Sequence, residues 1–201
     1  MLNSSYVLSI LLGRISAIFR LERTLVVAQT PQLEYSEAEL TFQPQIMMSG
    51  DPAICRRNME IFAIHGIEEN SGEDHLEAAM ATIHRDEPFQ IFHCSGLEVR
   101  GFENVREFYR KRMSVWSGRA AFPHRIFVSE SYAVINGYYK QAPCGDFFGI
   151  ETWGKPLFFP FIVWVYFKEG LVWGEVGYWD GDTVRRQARE GAIGDATQPL
   201  R

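Results

Sequence analysis

The stretch Leu157 to Phe167, LFFPFIVWVYF, carries no charge, and it constrains the fold more than any other segment. Its apolar residues fall on both parities, so a strand built from it needs cover on both faces of its sheet. Lys168-Glu169-Gly170 then supplies a turn, and LVWGEVGYWD returns as a second strand, which makes a β-hairpin. This second strand holds two carboxylates, Glu175 and Asp180, among Trp173, Val176, Tyr178 and Trp179. A charge among such neighbours is costly and invites a chemical reason.

Upstream the periodicity changes. Residues 52–69 bring Ile54, Ile61, Phe62 and His65 near one helical face, and a second helical piece from Gly72 to Ile83 holds Leu76, Met80 and Ile83 in register. PFQIFHC reads as a short strand. GFENVREFYRKRMSVW then places Val105, Phe108, Tyr109, Arg112 and Trp116 at helical spacing, with Ser117-Gly118 as its C-cap. After Pro123 the pattern alternates, with strands expected at HRIFVSES, YAVINGYYKQA and the two arms of the hairpin. Helices first and strands afterward predict an α+β domain: about three helices packed on the concave side of a curved antiparallel sheet, around an apolar pocket. The doubly apolar strand predicts that a homodimer forms through the sheet's outer face.

The chain has 201 residues, 46% hydrophobic and 22% charged, which suits one globular domain with a sizeable core. The aromatic fraction of 14% is crowded toward the C-terminal third and fits an apolar small-molecule ligand. A net charge of −5 with no basic stripe excludes a nucleic-acid partner. Cys55, Cys94 and Cys144 form no CxxC pair, which argues against a zinc site and a disulfide framework and for a cytoplasmic location. YVLSILLGRISAIF is interrupted by Arg14 and followed by Arg20, Glu22 and Arg23, too short and too charged to span a membrane. Residues 1–46 read as an N-terminal extension, either flexible or a docked amphipathic helix, 47–194 as the domain, and 195–201 as a tail. Asp51-Pro52 supports that boundary as an N-cap followed by a proline at the first helical position.

RGFENVREFYRKR, AFPHRIFVSE and the long run GDFFGIETWGKPLFFPFIVWVYFKEGLVWGEVGYWDGDTVRRQ come in an order that resembles the SnoaL-like polyketide cyclase and ester cyclase group of the nuclear-transport-factor-2-like superfamily. The resemblance covers roughly residues 52–190 and implies a cone: helices closing a bent sheet around a deep pocket. It also implies a cofactor-free acid/base reaction, in which a carboxylate removes a proton next to a carbonyl. One departure is QAPCGDFFGI, which lacks the histidine that family members carry before this glycine-rich element.

By that resemblance Asp180 is the general acid/base. Uniform alternation puts Val172, Val176, Tyr178 and Asp180 on one face and Glu175 on the other, so Asp180 with Tyr178 is expected inside. The competing reading makes Asp180 or Asp182 the N-cap of a helix DGDTVRRQ. Glu175 is expected to face outward toward an arginine at the dimer seam, or else to join the pocket. His93, sharing a face with Phe89 and Ile91, is a candidate electrophile or proton relay. His65, Tyr109, Tyr138, Trp164 and Tyr166 are expected as pocket wall or core, and Arg112 on a solvated helix face or, because it falls in the apolar register, as a snorkelling residue or partner of a buried acid. His84 and Asp86 lack a third ligand at metal spacing, so no metal site is expected. Three functions follow: a cyclase, isomerase or dehydratase acting on an apolar polyketide- or terpenoid-like molecule; a non-catalytic binding module; or an epoxide hydrolase, whose Asp-Arg-Asp network has no compact counterpart in the sequence.

Overall fold

The computed structural model describes residues 44–115 and 120–190, and the expectations for the N-terminal extension before residue 44, the Ser117-Gly118 cap and the C-terminal tail lie outside them. Strand β1 (Gln45–Ser49) leads into helix α1 (Pro52–Glu69) and, after a 3-10 turn at Glu73–His75, helix α2 (Leu76–Ala81). A short hairpin, β2 (Phe89–Phe92) and β3 (Leu97–Arg100), precedes helix α3 (Phe102–Val115). The strands β4 (Ala120–Ser129), β5 (Tyr132–Gln141), β6 (Cys144–Phe147), β7 (Ile150–Trp153), β8 (Leu157–Lys168) and β9 (Leu171–Trp179) follow, and helix α4 (Gly181–Glu190) closes the series.

Seven strands form one curved sheet in the order β1-β4-β5-β8-β9-β2-β3, and β6-β7 is a separate hairpin. The centre of the large sheet is antiparallel, as expected, while β1 joins β4 and β2 joins β9 in parallel. Strand β1 starts at Gln45, so the sheet extends two residues ahead of the boundary read at Met47. Phe148 and Gly149 form the tip of the β6-β7 hairpin.

Local chemistry accounts for the ends of these elements. The Asp51 carboxylate accepts from the Ala53 N–H at 2.7 Å and caps α1, with Pro52 at the first turn, where its missing N–H costs nothing. The β8-β9 turn is the two-residue type with both central residues at positive φ, Glu169 at 53° and Gly170 at 78°, which matches the right-handed strand twist. Bending is localised at a bulge in β4 between Pro123 and Arg125. Opposite it, a Cβ on Gly137 would lie 2.2 Å from the Phe122 carbonyl oxygen, so only glycine fits there.

Helices α1, α2 and α3 cover one face of the sheet. Cys55, Met80, Val105, Tyr109 and Met113 pack with Ile135, Val163, Val165 and Val172 in the main core. A second core under α4 joins Val184 and Ala188 to Phe147, Leu157 and Phe159. Along β8 the odd-numbered residues from Leu157 to Phe167 are buried under the helices, and the even-numbered ones form the outer face. No described helix is long and apolar enough to cross a membrane.

Candidate active site

The position of the acid is decided by a β-bulge. Tyr166 pairs with Gly174 while Phe167 pairs with Val172, so Trp173 is an extra residue in β9. The indole turns out of the ladder and donates to the Asp86 carbonyl at 2.8 Å. Beyond it the facing reverses relative to uniform alternation: Glu175, Gly177 and Trp179 pair with the inward positions Val165, Val163 and Phe161. Glu175 is therefore buried on the helix-covered side, contrary to the expected outward pairing at a dimer seam.

There it faces His65 of α1, the centre of a cluster that also draws on β2, α3 and Thr82, the residue after α2. His65 on α1 sends Nδ1 to Thr82 Oγ1 at 2.7 Å and Nε2 to the Tyr109 hydroxyl of α3 at 2.9 Å. The Thr82 hydroxyl donates to the Ala79 carbonyl at 2.6 Å, so it accepts from His65, and Nδ1 carries the hydrogen. Gln90 on β2 donates its Nε2–H to the Tyr109 oxygen at 2.9 Å, which leaves the tyrosine O–H to donate to His65 Nε2. Two carboxylates converge on the same nitrogen, Glu175 at 3.6 Å and Glu69 at 3.8 Å. Arg112 on α3 lies 3.0 Å from Glu69, with both side chains about 6% exposed. Its guanidinium carbon stands 5.5 Å from the Tyr109 ring centroid.

Two carboxylates, one guanidinium and one imidazole are thus buried against one another, a set of groups of the kind acid/base chemistry uses. Of the residues expected here, His65 and Tyr109 are in place, and Arg112 does pair with a buried acid. Glu69, Thr82 and Gln90 were not anticipated, although Glu69 stands one helical turn after His65 and the spacing alone puts them on one face.

Glu175 and Arg112 also line a pocket walled by Phe92, Phe148, Phe161 and Trp179, with Gln141 from β5. Its free volume is about 20 Å³, room for roughly one water.

Other candidates lie elsewhere. Asp180 is the N-cap of α4, accepting from the Asp182 N–H at 3.0 Å and the Thr183 hydroxyl at 2.6 Å. The Thr183 hydroxyl holds its carboxyl below the usual aspartate range. It is exposed and lies outside the Glu175 pocket, a correction that follows from the bulge and the cap. Tyr178 is 42% exposed on the outer face, with its ring 5.1 Å from His93. His93 is itself exposed in the turn after β2, which ends at Phe92. Trp164 and Tyr166 are corrected from pocket wall to outer face, Trp164 stacking on Tyr132 at 5.5 Å, whereas Tyr138 stacks on Phe158 at 5.1 Å and lines, with Tyr178, Asp180 and His124, a separate open pocket of about 350 Å³ on that face. Tyr166 lies 5.6 Å from Phe89. The described residues contain no group of three or more His, Cys, Asp or Glu arranged to hold a metal ion.

A scan against protein-family models finds no match, and a search of curated proteins finds none. Solved structures are similar. A protein from Shewanella denitrificans, provisionally named a SnoaL-like polyketide cyclase, is 13% identical with a TM-score of 0.57, covering 70% of this chain and 99% of that chain. A Jannaschia protein with the same provisional name is 19% identical with a TM-score of 0.56, covering 70% and 96%. An M. tuberculosis epoxide hydrolase of the LEH-like type is 9% identical with a TM-score of 0.53, covering 68% and 92%. With its curved seven-strand sheet, covering helices and these neighbours, the chain has the nuclear-transport-factor-2-like fold of the SnoaL-like polyketide cyclases.

Proposed function

We propose that the protein is a cofactor-independent acid/base enzyme of the cyclase, isomerase or dehydratase kind, acting on an apolar small molecule with Glu175 as its base. The observation that carries this reading is the burial of Glu175 at an aromatic-walled pocket, beside Arg112 and 3.6 Å from His65 Nε2. In the step, a C–H bond next to a substrate carbonyl breaks and its proton passes to the Glu175 carboxylate. The electron pair moves onto the carbonyl oxygen, where the Arg112 guanidinium stabilises the charge. Return of the proton at another carbon gives isomerisation, loss of a β-hydroxyl gives dehydration, and attack on a second carbonyl closes a ring. Phe92 and Trp179 keep water from the enolate. The fold neighbours named as polyketide cyclases support this class of chemistry.

The test is deuterium uptake by 2-tetralone in heavy water, followed by proton NMR. Glu175→Gln is expected to slow enzyme-catalysed exchange by at least ~10²-fold, while Asp180→Asn leaves it unchanged. Undiminished exchange in Glu175→Gln overturns the assignment.

A second reading is favoured by one observation: Arg112 pairs with Glu69 and shares the pocket with Glu175, a carboxylate-arginine-carboxylate set drawn from three elements distant in sequence. Such a set suits activation of water against an epoxide, and the M. tuberculosis neighbour is named for that reaction. Turnover of styrene oxide in ¹⁸O-water to a singly labelled diol, lost in both Glu69→Gln and Glu175→Gln, would favour hydrolysis over proton abstraction.

A further inference from the structure

Two features of the pocket are left unused by the acid/base cluster. Gln141, only 2% exposed, lines the pocket, and neither its amide nitrogen nor its amide oxygen has a hydrogen-bond partner among the described residues. A buried amide with both ends unsatisfied is costly to the fold and needs an explanation. Position 141 lies on the inward parity of β5, in line with Ala133 and Ile135, where an apolar residue would cost nothing.

The second feature is Phe148, at the tip of the β6-β7 hairpin. Its φ of 52° is left-handed, a conformation that an aromatic residue adopts only under strain, and glycine or asparagine would be preferred. The ring nevertheless packs 4.5 Å from Phe92, 4.6 Å from Trp179 and 4.8 Å from Phe147. A flat ring thus fills an aromatic slot beside Gln141, held there by a hairpin outside the main sheet.

We propose that this slot is the binding site for a planar ring bearing a hydroxyl group, with Phe148 as its displaceable occupant and Gln141 as the residue that selects the hydroxyl. A hydroxyl both donates and accepts, so one such group satisfies both amide atoms: its hydrogen goes to Oε1 and its oxygen accepts from Nε2. An anionic group is disfavoured by Oε1 and by the nearby Glu175 carboxylate. The aromatic walls offer stacking and edge contacts to a ring, as they do to Phe148. Swinging the hairpin aside vacates the volume of one benzyl group beyond the present free space of about 20 Å³, on the scale of the ~150 Å³ apolar cavities that take up benzene.

The inference deepens the reading of the pocket as a substrate site but does not depend on Glu175 as the base, because binding is measured without turnover. Phenol and toluene, which differ only in hydroxyl against methyl, are titrated into Phe148→Gly by calorimetry. Glycine accepts the left-handed backbone and removes the plug. Both ligands are expected to bind Phe148→Gly more tightly than they bind the native protein. Adding Gln141→Leu should weaken phenol at least ~10-fold while toluene binds as before or better, since a site built around a hydroxyl loses only the hydroxyl-bearing ligand. If Phe148→Gly does not fold, Phe148→Ala carries the same comparison. Equal changes for phenol and toluene on adding Gln141→Leu, or no binding to a folded plug-less variant, overturn the proposal. Loss of exchange in Glu175→Gln with the phenol result intact would bear on catalysis alone.

Discussion

Arg112→Met removes the positive charge that pairs with buried Glu69 and shares a pocket with Glu175 without removing much packing volume, since methionine retains an apolar stem beside Phe108 and Tyr109. At the observed 3.0 Å from Glu69, Coulomb's law with an effective dielectric of about 20 gives roughly 5.5 kcal/mol of attraction. Loss of one partner from a buried pair costs about 3–5 kcal/mol in practice, because the other charge remains buried and uncompensated. The expected result in urea denaturation is a large drop in midpoint at unchanged m-value, equivalent to about 3–5 kcal/mol. Glu69→Gln combined with Arg112→Met should cost less than the sum of the two single changes by at least ~1 kcal/mol, since the double variant no longer strands a charge opposite a missing partner. Arg112→Lys should recover only part of the loss, because an ammonium has no planar fork with which to hold the carboxylate. A single-variant cost within ~0.5 kcal/mol of zero, or strict additivity in the cycle, would refute the view that this cluster is a desolvated charge network.

Two other outcomes follow from the surface. Asp180→Ala should destabilise the fold by about 1 kcal/mol through loss of the α4 cap, with turnover unaffected. The native carboxyl is lowered, so its contribution is present above the unfolded value near ~3.9 and disappears as pH falls through the native value; acid titrations of wild type and variant should converge only there. Pairing of two chains through the outer sheet face, where Ile162 is 44% and Tyr178 42% exposed, predicts that Ile162→Lys shifts sedimentation from dimer to monomer at micromolar concentration. A wild-type chain that sediments as a monomer rules out that pairing.

The sequence by itself determined the architecture to a large extent. The uncharged run of residues 157–167 in β8, its two-residue turn and the return strand were legible because large apolar residues repeat at the buried positions with a period of two, and because positive-φ turns select for glycine. The Asp51-Pro52 helix start was legible for a similar reason: capping is a local hydrogen bond between residues close in sequence. His65, Tyr109 and the buried pairing of Arg112 were visible as polar groups in an apolar register. The edge strands β1 and β3 carried little local signal, because both are short and largely exposed.

Only the tertiary structure decided which carboxylate faces inward. Trp173 looks like an ordinary strand residue, yet as a bulge it reverses the facing of everything after it; a period-two pattern cannot reveal one extra residue when both parities are apolar. Asp180 could equally be a cap or a base until the direction of α4 was known. Glu69, Arg112 and Glu175 lie on three elements far apart in the chain, and their meeting is a property of packing. The unsatisfied amide of Gln141 is likewise invisible in sequence, because a missing partner can be recognised only once every neighbour has its place.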